Sequence, residues 1–362
     1  MKNLTCRAQA AADRSVDKLR KGGSEMKTSR VVIALLLVVV VVAPIFGRGA
    51  REQVPMSERT VLIGWTVPYL DRDDSFGFYE RAVREHLDSL GVDYEMITRA
   101  PDSHADHAGQ LAIVEDMIAR GVDIMVIAPS GFEAQQPAYR RVINAGIPLI
   151  VMGYLGWEDD FDVPDGDVYF VGYSHTDAGI VNAEWMAENY PRGTNLAIIH
   201  GTPGFVTRER SQVPLQRANG FNIVTEQHAD YDRAKAYTAA EDVLVAHPNV
   251  QVFLATNSTM ANGVAEAVAD SGRTDVDVMG CGGTIEELVN VAAGRMRASW
   301  VRSHFDEGVA AAEIIHAYVQ GRQNELEEVH TVPIYMVETL EDIKTRHDSR
   351  YHEYLIPHIP NW

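Results

Sequence analysis

Residues 122–152 read VDIMVIAPSGFEAQQPAYRRVINAGIPLIVM. IMVIA at 124–128 is a short apolar run of the kind that forms a strand buried on both faces. Gln136–Ala145 has helical character and is closed by Gly146, and Pro148–Met152 is a second apolar run. Two buried strands joined by a single helix imply parallel pairing through a right-handed crossover. The same rhythm extends upstream. TVLIGWT at 60–66 reads as a strand, and Ser75–Leu90 as a helix with Phe76, Tyr79, Val83 and Leu87 at helical spacing. Asp93–Thr98 is a second strand, and Ala108–Arg120 a helix stopped by Gly121.

Downstream, Gly153–Asp167 interrupts the rhythm with Gly, Pro and five Asp, and reads as a first crossing between two lobes. Tyr169–Gly172 then begins a second series. Its strands are Asn195–His200, Asn222–Glu226, Val250–Ala255, Val276–Gly280 and Met296–Trp300. Its helices are Asp177–Asn189, Glu209–Ala218, Arg233–Ala246, Met260–Ser271 and Ile285–Ala293. A helix at Phe305–Gln320 and an extended segment at Val329–Val337 follow. The expected fold class is α/β, with two doubly wound parallel-sheet lobes joined by a hinge near Gly153–Gly172, Arg302 and Val332. Lobe 1 takes residues 59–172 and 303–332, lobe 2 takes 173–302 and 333–345, and 346–362 form a tail. In such sheets ligands sit beyond the carboxyl ends of the strands, so the informative residues are those just after each strand.

Residues 1–49 are an upstream segment followed by a signal peptide or anchor. The run VVIALLLVVVVVAPIFG at 31–47 carries no charge over 17 residues and follows Lys27 and Arg30. A basic flank, an apolar stretch and small exit residues mark an export signal, although the run is nearly long enough to stay in the membrane. Either way the remainder is expected in the periplasm, free or anchored at the inner membrane. Residues 1–47 hold eight Lys or Arg and three Asp or Glu, a charge of +5, so the whole-chain value of −19 leaves −24 on the rest. That disfavours nucleic acid and anionic membrane surfaces as partners. Of the two cysteines, Cys6 precedes the export signal, so a processed chain would keep only Cys281 and form no internal disulfide.

The stretches VDIMVIAP (122–129), GIPLIV (146–151), TRER (207–210), ATNSTMANG (255–263), GCGGTIEEL (280–288) and 293–302 occur in an order and spacing that resemble the type I periplasmic sugar-binding family, the ribose-binding-like proteins. The resemblance spans roughly Thr60–Val337. Within the family, YFVGYSHTDAG (169–179), GFVTRER (204–210), AHPNV (246–250) and WVRSHFDEG (300–308) look most similar to the autoinducer-2 receptors. The resemblance implies ligand-binding arginines at Arg210 and Arg302. It also marks departures. Cys281 stands where those receptors have a cleft tryptophan and ribose binders an aspartate. Gly153 stands where an asparagine is expected, and Ser258-Thr259 where a Thr-Asp pair is. Phe76 aligns with an aromatic after the first strand.

Each candidate has a plainer alternative. The planar fork of Arg210 suits vicinal hydroxyls or an oxyanion, while the alternative is a surface arginine in a charged helix start. Arg302 reaches a ligand from the hinge side or forms an interlobe ion pair with a hinge acid. Phe76 stacks on a sugar face or packs into the core. Asp73, with Asp71 and Asp74, accepts from ligand hydroxyls or belongs to a solvated loop. Ser130 and Tyr154 follow the third and fourth strands. Ser258 is a ligand candidate, whereas Asn257 suits a helix cap near Met260. Cys281 lies at the cleft as a small packing residue rather than a reactive thiol. His104 and His107 are three apart, but a solvated helix start is the better reading than a metal site. No HExxH, GxSxG or P-loop is present among the 13 histidines and 28 glycines. Gly280–Gly283 reads as a tight strand-to-helix turn.

The chain is therefore expected to be no enzyme and to need no cofactor. It would act as a monomer that captures a small sugar for an ABC permease. The alternative is an autoinducer-2 receptor acting with a membrane sensor kinase. Because export signals begin close to the initiator, Met26 is the expected start of translation. Intact mass of the unprocessed precursor checks this, and a precursor retaining Met1 contradicts it.

Overall fold

The computed structural model describes residues 54–70, 75–153, 166–360 and 362. The apolar run at 31–47, Met26, Asp73 and Tyr154 lie outside the described residues. Among the described residues no helix is long and apolar enough to cross a membrane.

Two six-stranded sheets organise the chain. The first contains β1 (Val61–Thr66), β2 (Tyr94–Arg99), β3 (Ile124–Ile127), β4 (Leu149–Met152), β5 (Val168–Gly172) and β11 (Val329–Thr331), in the order β11-β5-β4-β3-β1-β2. The second contains β6 (Asn195–His200), β7 (Asn222–His228), β8 (Val252–Ala255), β9 (Asp277–Gly282), β10 (Ala298–Arg302) and β12 (Ile334–Val337), in the order β12-β10-β9-β8-β6-β7. All pairings are parallel except β10 with β12, an antiparallel edge on an otherwise parallel sheet. Strands β3, β4, β5, β8 and β10 are buried along their whole length, which is why they read as unbroken apolar runs.

Helices α1 (Ser75–Ser89), α2 (His107–Arg120), α3 (Phe132–Asn144) and α10 (His304–Val319) accompany the first sheet. Helices α4 (His175–Asn189), α5 (Phe205–Ser211), α6 (Val213–Asn219), α7 (Arg233–Ala246), α8 (Ser258–Asp270) and α9 (Ile285–Ala292) accompany the second. Short α11 (Leu340–Thr345) and α12 (His352–Leu355) close the chain. Side chains cap the helices at the lobe faces. Asp106 accepts from Gly109 N–H ahead of α2, Asn257 from Met260 N–H ahead of α8, and Ser303 from Asp306 N–H ahead of α10.

Four readings are corrected. Gly153–Asp167 reads as the first crossing, but Val168–Gly172 beyond it still pairs with β4 and β11 in the first sheet, so the chain changes lobes later. The crossing is the two residues Tyr173 and Ser174, with Ser174 capping α4. The predicted helix Glu209–Ala218 is two helices, broken at Gln212, whose left-handed φ of 44° reorients the chain. The single extended segment Val329–Val337 is two strands in different sheets. Val332 and Pro333 make the third crossing between them, with Val332 N–H bonded to Gly172 O at 2.7 Å. Residues 346–362 are no loose tail. Tyr351, Leu355 and Ile359 are buried in one cluster with Val337 and Ile343 of the second lobe and Phe78 and Phe305 of the first.

Helices α1 and α10 cross closely because Gly308 has no side chain. A β-carbon there would stand 2.5 Å from Ala82 Cβ and 2.7 Å from the Tyr79 carbonyl oxygen. Neither neighbour is a flexible chain end, so Gly308→Ala must spread the two helices. The expected loss is about 1–3 kcal/mol in urea unfolding, and an unchanged midpoint would contradict this packing.

Candidate functional site

The carboxyl ends of both sheets face one cavity of about 320 Å³, within the range of small-molecule sites. The first sheet supplies Phe76 after β1, His104 and His107 after β2, and Ser130 after β3. The second supplies Arg210 after β6, Tyr231 after β7, Ser258 after β8, Cys281 within β9 and Arg302 at the end of β10. The predicted residues Arg210, Arg302, Phe76, Ser258, Ser130 and Cys281 thus line one cavity, from both lobes.

Arg210 sits in the last turn of α5 rather than at a helix start. Its Nε–H donates to His175 Nδ1 at 3.2 Å and its Nη1 to Thr256 O at 3.0 Å, while Nη2 donates to the Tyr173 hydroxyl. The crossing residues 173–175 therefore orient the guanidinium. Burial, with Arg210 and Arg302 nearby, holds the His175 imidazole well below its ordinary range. It stays neutral and can accept from Arg210.

Arg302 is 6% exposed. Its Nε–H donates to Glu307 at 3.2 Å, Nη1 to Gly282 O at 3.3 Å and Nη2 to the Tyr79 hydroxyl at 2.8 Å. The interlobe ion pair is thus formed by a residue that also lines the cavity. Burial raises the Glu307 carboxyl, and Arg302 and the Tyr79 hydroxyl pull it back. Burial also opposes the Arg302 charge, yet Tyr173, Tyr79 and Glu307 outweigh it and hold the group well above its ordinary value. The Tyr173 ring lies 4.3 Å from Arg302 Cζ and 5.9 Å from Arg210 Cζ, and packs on Trp300 at 5.2 Å. Both cations rest on this aromatic pair.

Ser258 Oγ–H is shared between the buried Glu287 carboxylate and the Cys281 carbonyl. Glu287 also accepts from Gly283 N–H at 2.6 Å and Ser299 Oγ at 2.9 Å, which pins the chain just past β9. The tight turn read at Gly280–Gly283 is corrected, because Gly280–Gly282 belong to that strand. Burial pushes the Cys281 thiol up to about 12, so it packs and does not react. Ser130 is buried, with its hydroxyl engaged by His107 and Gln135.

The solvated reading of His104 and His107 is overturned, because both line the cavity. The His104 ring lies 6.1 Å from Tyr69 and 5.1 Å from Tyr231 of the opposite lobe. Tyr231 was not singled out from sequence. It follows Asp230, and both have left-handed backbone, φ 51° and 61°. No composition signal marks that turn, although its place just after a strand was a usable clue. Among the described residues no group of His, Cys, Asp and Glu is arranged to hold a metal ion.

A periplasmic binding protein domain matches residues 63–323. The ribose import binding protein of Salmonella typhimurium is 28% identical over 244 residues, covering 66% of this chain and 79% of its own length. The D-allose-binding periplasmic protein of Escherichia coli is 28% identical over 243 residues, covering 65% and 78%. Among solved structures, an Actinobacillus succinogenes solute-binding protein with bound D-allose superposes with a TM-score of 0.69 at 23% identity, over 79% of this chain and 99% of that one. A Bacillus halodurans protein with bound myo-inositol gives 0.69 at 22% identity, over 80% and 97%.

Burial, with His107 and Arg210 beside it, lowers His104 to about 4 from 6.5. Between those values the unfolded chain binds a proton that the folded chain refuses, so His104 costs stability as pH falls through the window and costs nothing above it. The melting temperature of His104→Gln should therefore decline less steeply than that of the parent from pH 6.5 to 4. Parallel declines would show that the folded imidazole is charged.

Proposed function

This chain belongs to the periplasmic binding protein family, and from that premise we propose that it captures a small polyhydroxylated ligand, a sugar or cyclitol, between its lobes and presents it to an ABC permease. It is a binder rather than an enzyme. The observation that carries the reading is the convergence of Arg210 and Arg302 with the Phe76 and Tyr231 rings on one small interlobe cavity. Aromatic faces cover the C–H surface of a sugar ring, while forked guanidinium donors match neighbouring oxygens. The relatives' ribose and D-allose, and the neighbours' D-allose and myo-inositol, are compact ligands of that chemistry.

Closure occurs about three short crossings, Tyr173–Ser174, Ser303 and Val332–Pro333. Lobe 1 is residues 59–172 with 303–332, and lobe 2 is 173–302 with 333–345. Cleavage after residues 31–47 releases the chain into the periplasm, where it works as a monomer. Retention of that run would tether it to the inner membrane. A second reading, an autoinducer-2 receptor signalling through a sensor kinase, draws on the presence of two guanidinium groups in one cavity, which suits an anionic borate-bridged furanosyl ligand.

A thermal-shift screen against pentoses, hexoses, inositols, sugar acids and autoinducer-2 with and without borate separates the readings. A ligand at one hundred times its Kd stabilises the fold by about 2.7 kcal/mol. A shift with one sugar or inositol supports transport, and a shift with autoinducer-2 alone supports sensing. No shift at all would contradict both. Arg210→Gln should weaken binding about tenfold to a hundredfold. Arg302→Gln is a poorer probe, because it also strands the buried Glu307 at about 3–5 kcal/mol.

A further inference from the structure

His107 is the first residue of α2, behind the Asp106 cap. Its ring belongs to a hydrogen-bonded set that one tautomer completes. Nδ1 lies 2.8 Å from Ser130 Oγ. The Gln135 carboxamide nitrogen donates to the His107 carbonyl oxygen at 2.8 Å and to Ser130 Oγ at 3.2 Å. A carbonyl oxygen only accepts, so the amide orientation of Gln135 follows from the first of these bonds. Ser130 Oγ then accepts from Gln135, and among the described residues its own proton has one acceptor, His107 Nδ1, so the arrangement that uses this proton makes Nδ1 the acceptor. The backbone of Ser130 is pinned in turn, its N–H donating to Gln110 Oε1 at 2.8 Å while Gln110 Nε2 donates to Ala128 O at 2.9 Å. A β-carbon at Gly131 would stand 3.0 Å from His107 Cε1, so the ring occupies space this residue leaves open.

With Nδ1 accepting, the neutral ring carries its proton on Nε2. Nε2 is not among the buried polar atoms that lack a partner, no described residue bonds to it, and His107 lines the cavity. We propose that His107 selects the ligand: Ser130 and Gln135 hold it as an Nε2–H donor, so the captured molecule must present an acceptor oxygen to this wall of the first lobe. Ser130, read from sequence as a ligand contact, becomes a positioning residue. The proposal rests on the cleft being the ligand site.

Nitrogen-15 NMR of the imidazole, on ligand-free protein at about pH 8.5 and so above the ordinary histidine value of about 6.5, should show the Nε2–H tautomer. In Ser130→Ala the lock is lost and both tautomers should appear. Calorimetric titration with D-ribose, D-allose and myo-inositol supplies the second arm. For whichever of them binds, His107→Ala should weaken affinity at least about tenfold. His107→Gln, whose amide nitrogen reaches the Nε2 position, should stay within about threefold, whereas His107→Asn should behave like alanine. An Nδ1–H tautomer in the parent protein, or full affinity in His107→Ala, would overturn the proposal. Should none of the three probes bind the parent protein, the function proposed above fails, and the nitrogen spectrum alone still decides the state of His107.

Discussion

The buried ion pair of Arg302 with Glu307 is the constraint around which the two lobes are arranged. Arg302 is the last residue of a second-lobe strand, and Glu307 lies five residues on, in a helix packed against the first sheet. Between them the chain changes lobes at a single residue, Ser303. A charge this deep is tolerated only when its donors are met, and Glu307, Tyr79 and the Gly282 carbonyl meet them from both lobes. The pair therefore fixes where α10 starts relative to β10. The Tyr173 ring lies over the same guanidinium from the first crossing, so two of the three crossings meet at one cation.

From that junction the cleft follows. Tyr173 also bonds Arg210, and His175, two residues on, takes a second Arg210 donor. The two arginines are thus linked through the hinge rather than held independently by their own helices. A rotation about the crossings would move Tyr173 and Arg210 together, so the binding groups are coupled to lobe closure by direct contact. The C-terminal segment reinforces the same place from behind. The Tyr351 hydroxyl accepts from His304 N–H at 2.9 Å, and Tyr351 packs on Phe78 and Phe305, so the last residues brace the start of α10 against both lobes.

Opposite the arginines, the first lobe presents polar groups without positive charge, Ser130 and His104 among them, beside the Glu133 carboxylate. His104 is kept neutral by burial, and Ser130, Gln135 and Gln110 form a chain of hydrogen bonds that sets the loops after β2 and β3. One wall therefore carries the two guanidinium groups, and the other carries directional donors and acceptors with one carboxylate, Glu133. That division suits a ligand rich in oxygen atoms, since hydroxyls accept from the one wall and exchange hydrogen bonds with the other.

Two mostly parallel sheets, the order of nearly every element and the interlobe cavity beyond the strand ends were legible in the sequence, because strands buried on both faces leave uninterrupted apolar runs whose ends can be read. Phe76 and Ser258 could be singled out by their place after strands, and Arg210 and Arg302 by that place together with the family resemblance. What tertiary structure decided is less local. Gly153–Asp167 looks like a hinge by composition, yet the strands before and after it, β4 and β5, pair in the same sheet, and the crossing comes later, at Tyr173–Ser174. Two strands of different sheets looked like one segment, because a crossing of two residues leaves no composition signal. His104 and Tyr231 enter the cleft from irregular loops and His107 from the first residue of a helix, where neither a period of three and a half nor one of two carries information. Which side chain meets a ligand and which one holds its neighbour in place, as with His107 and Ser130, depends on hydrogen bonds between residues 23 apart, and only the folded chain brings them together.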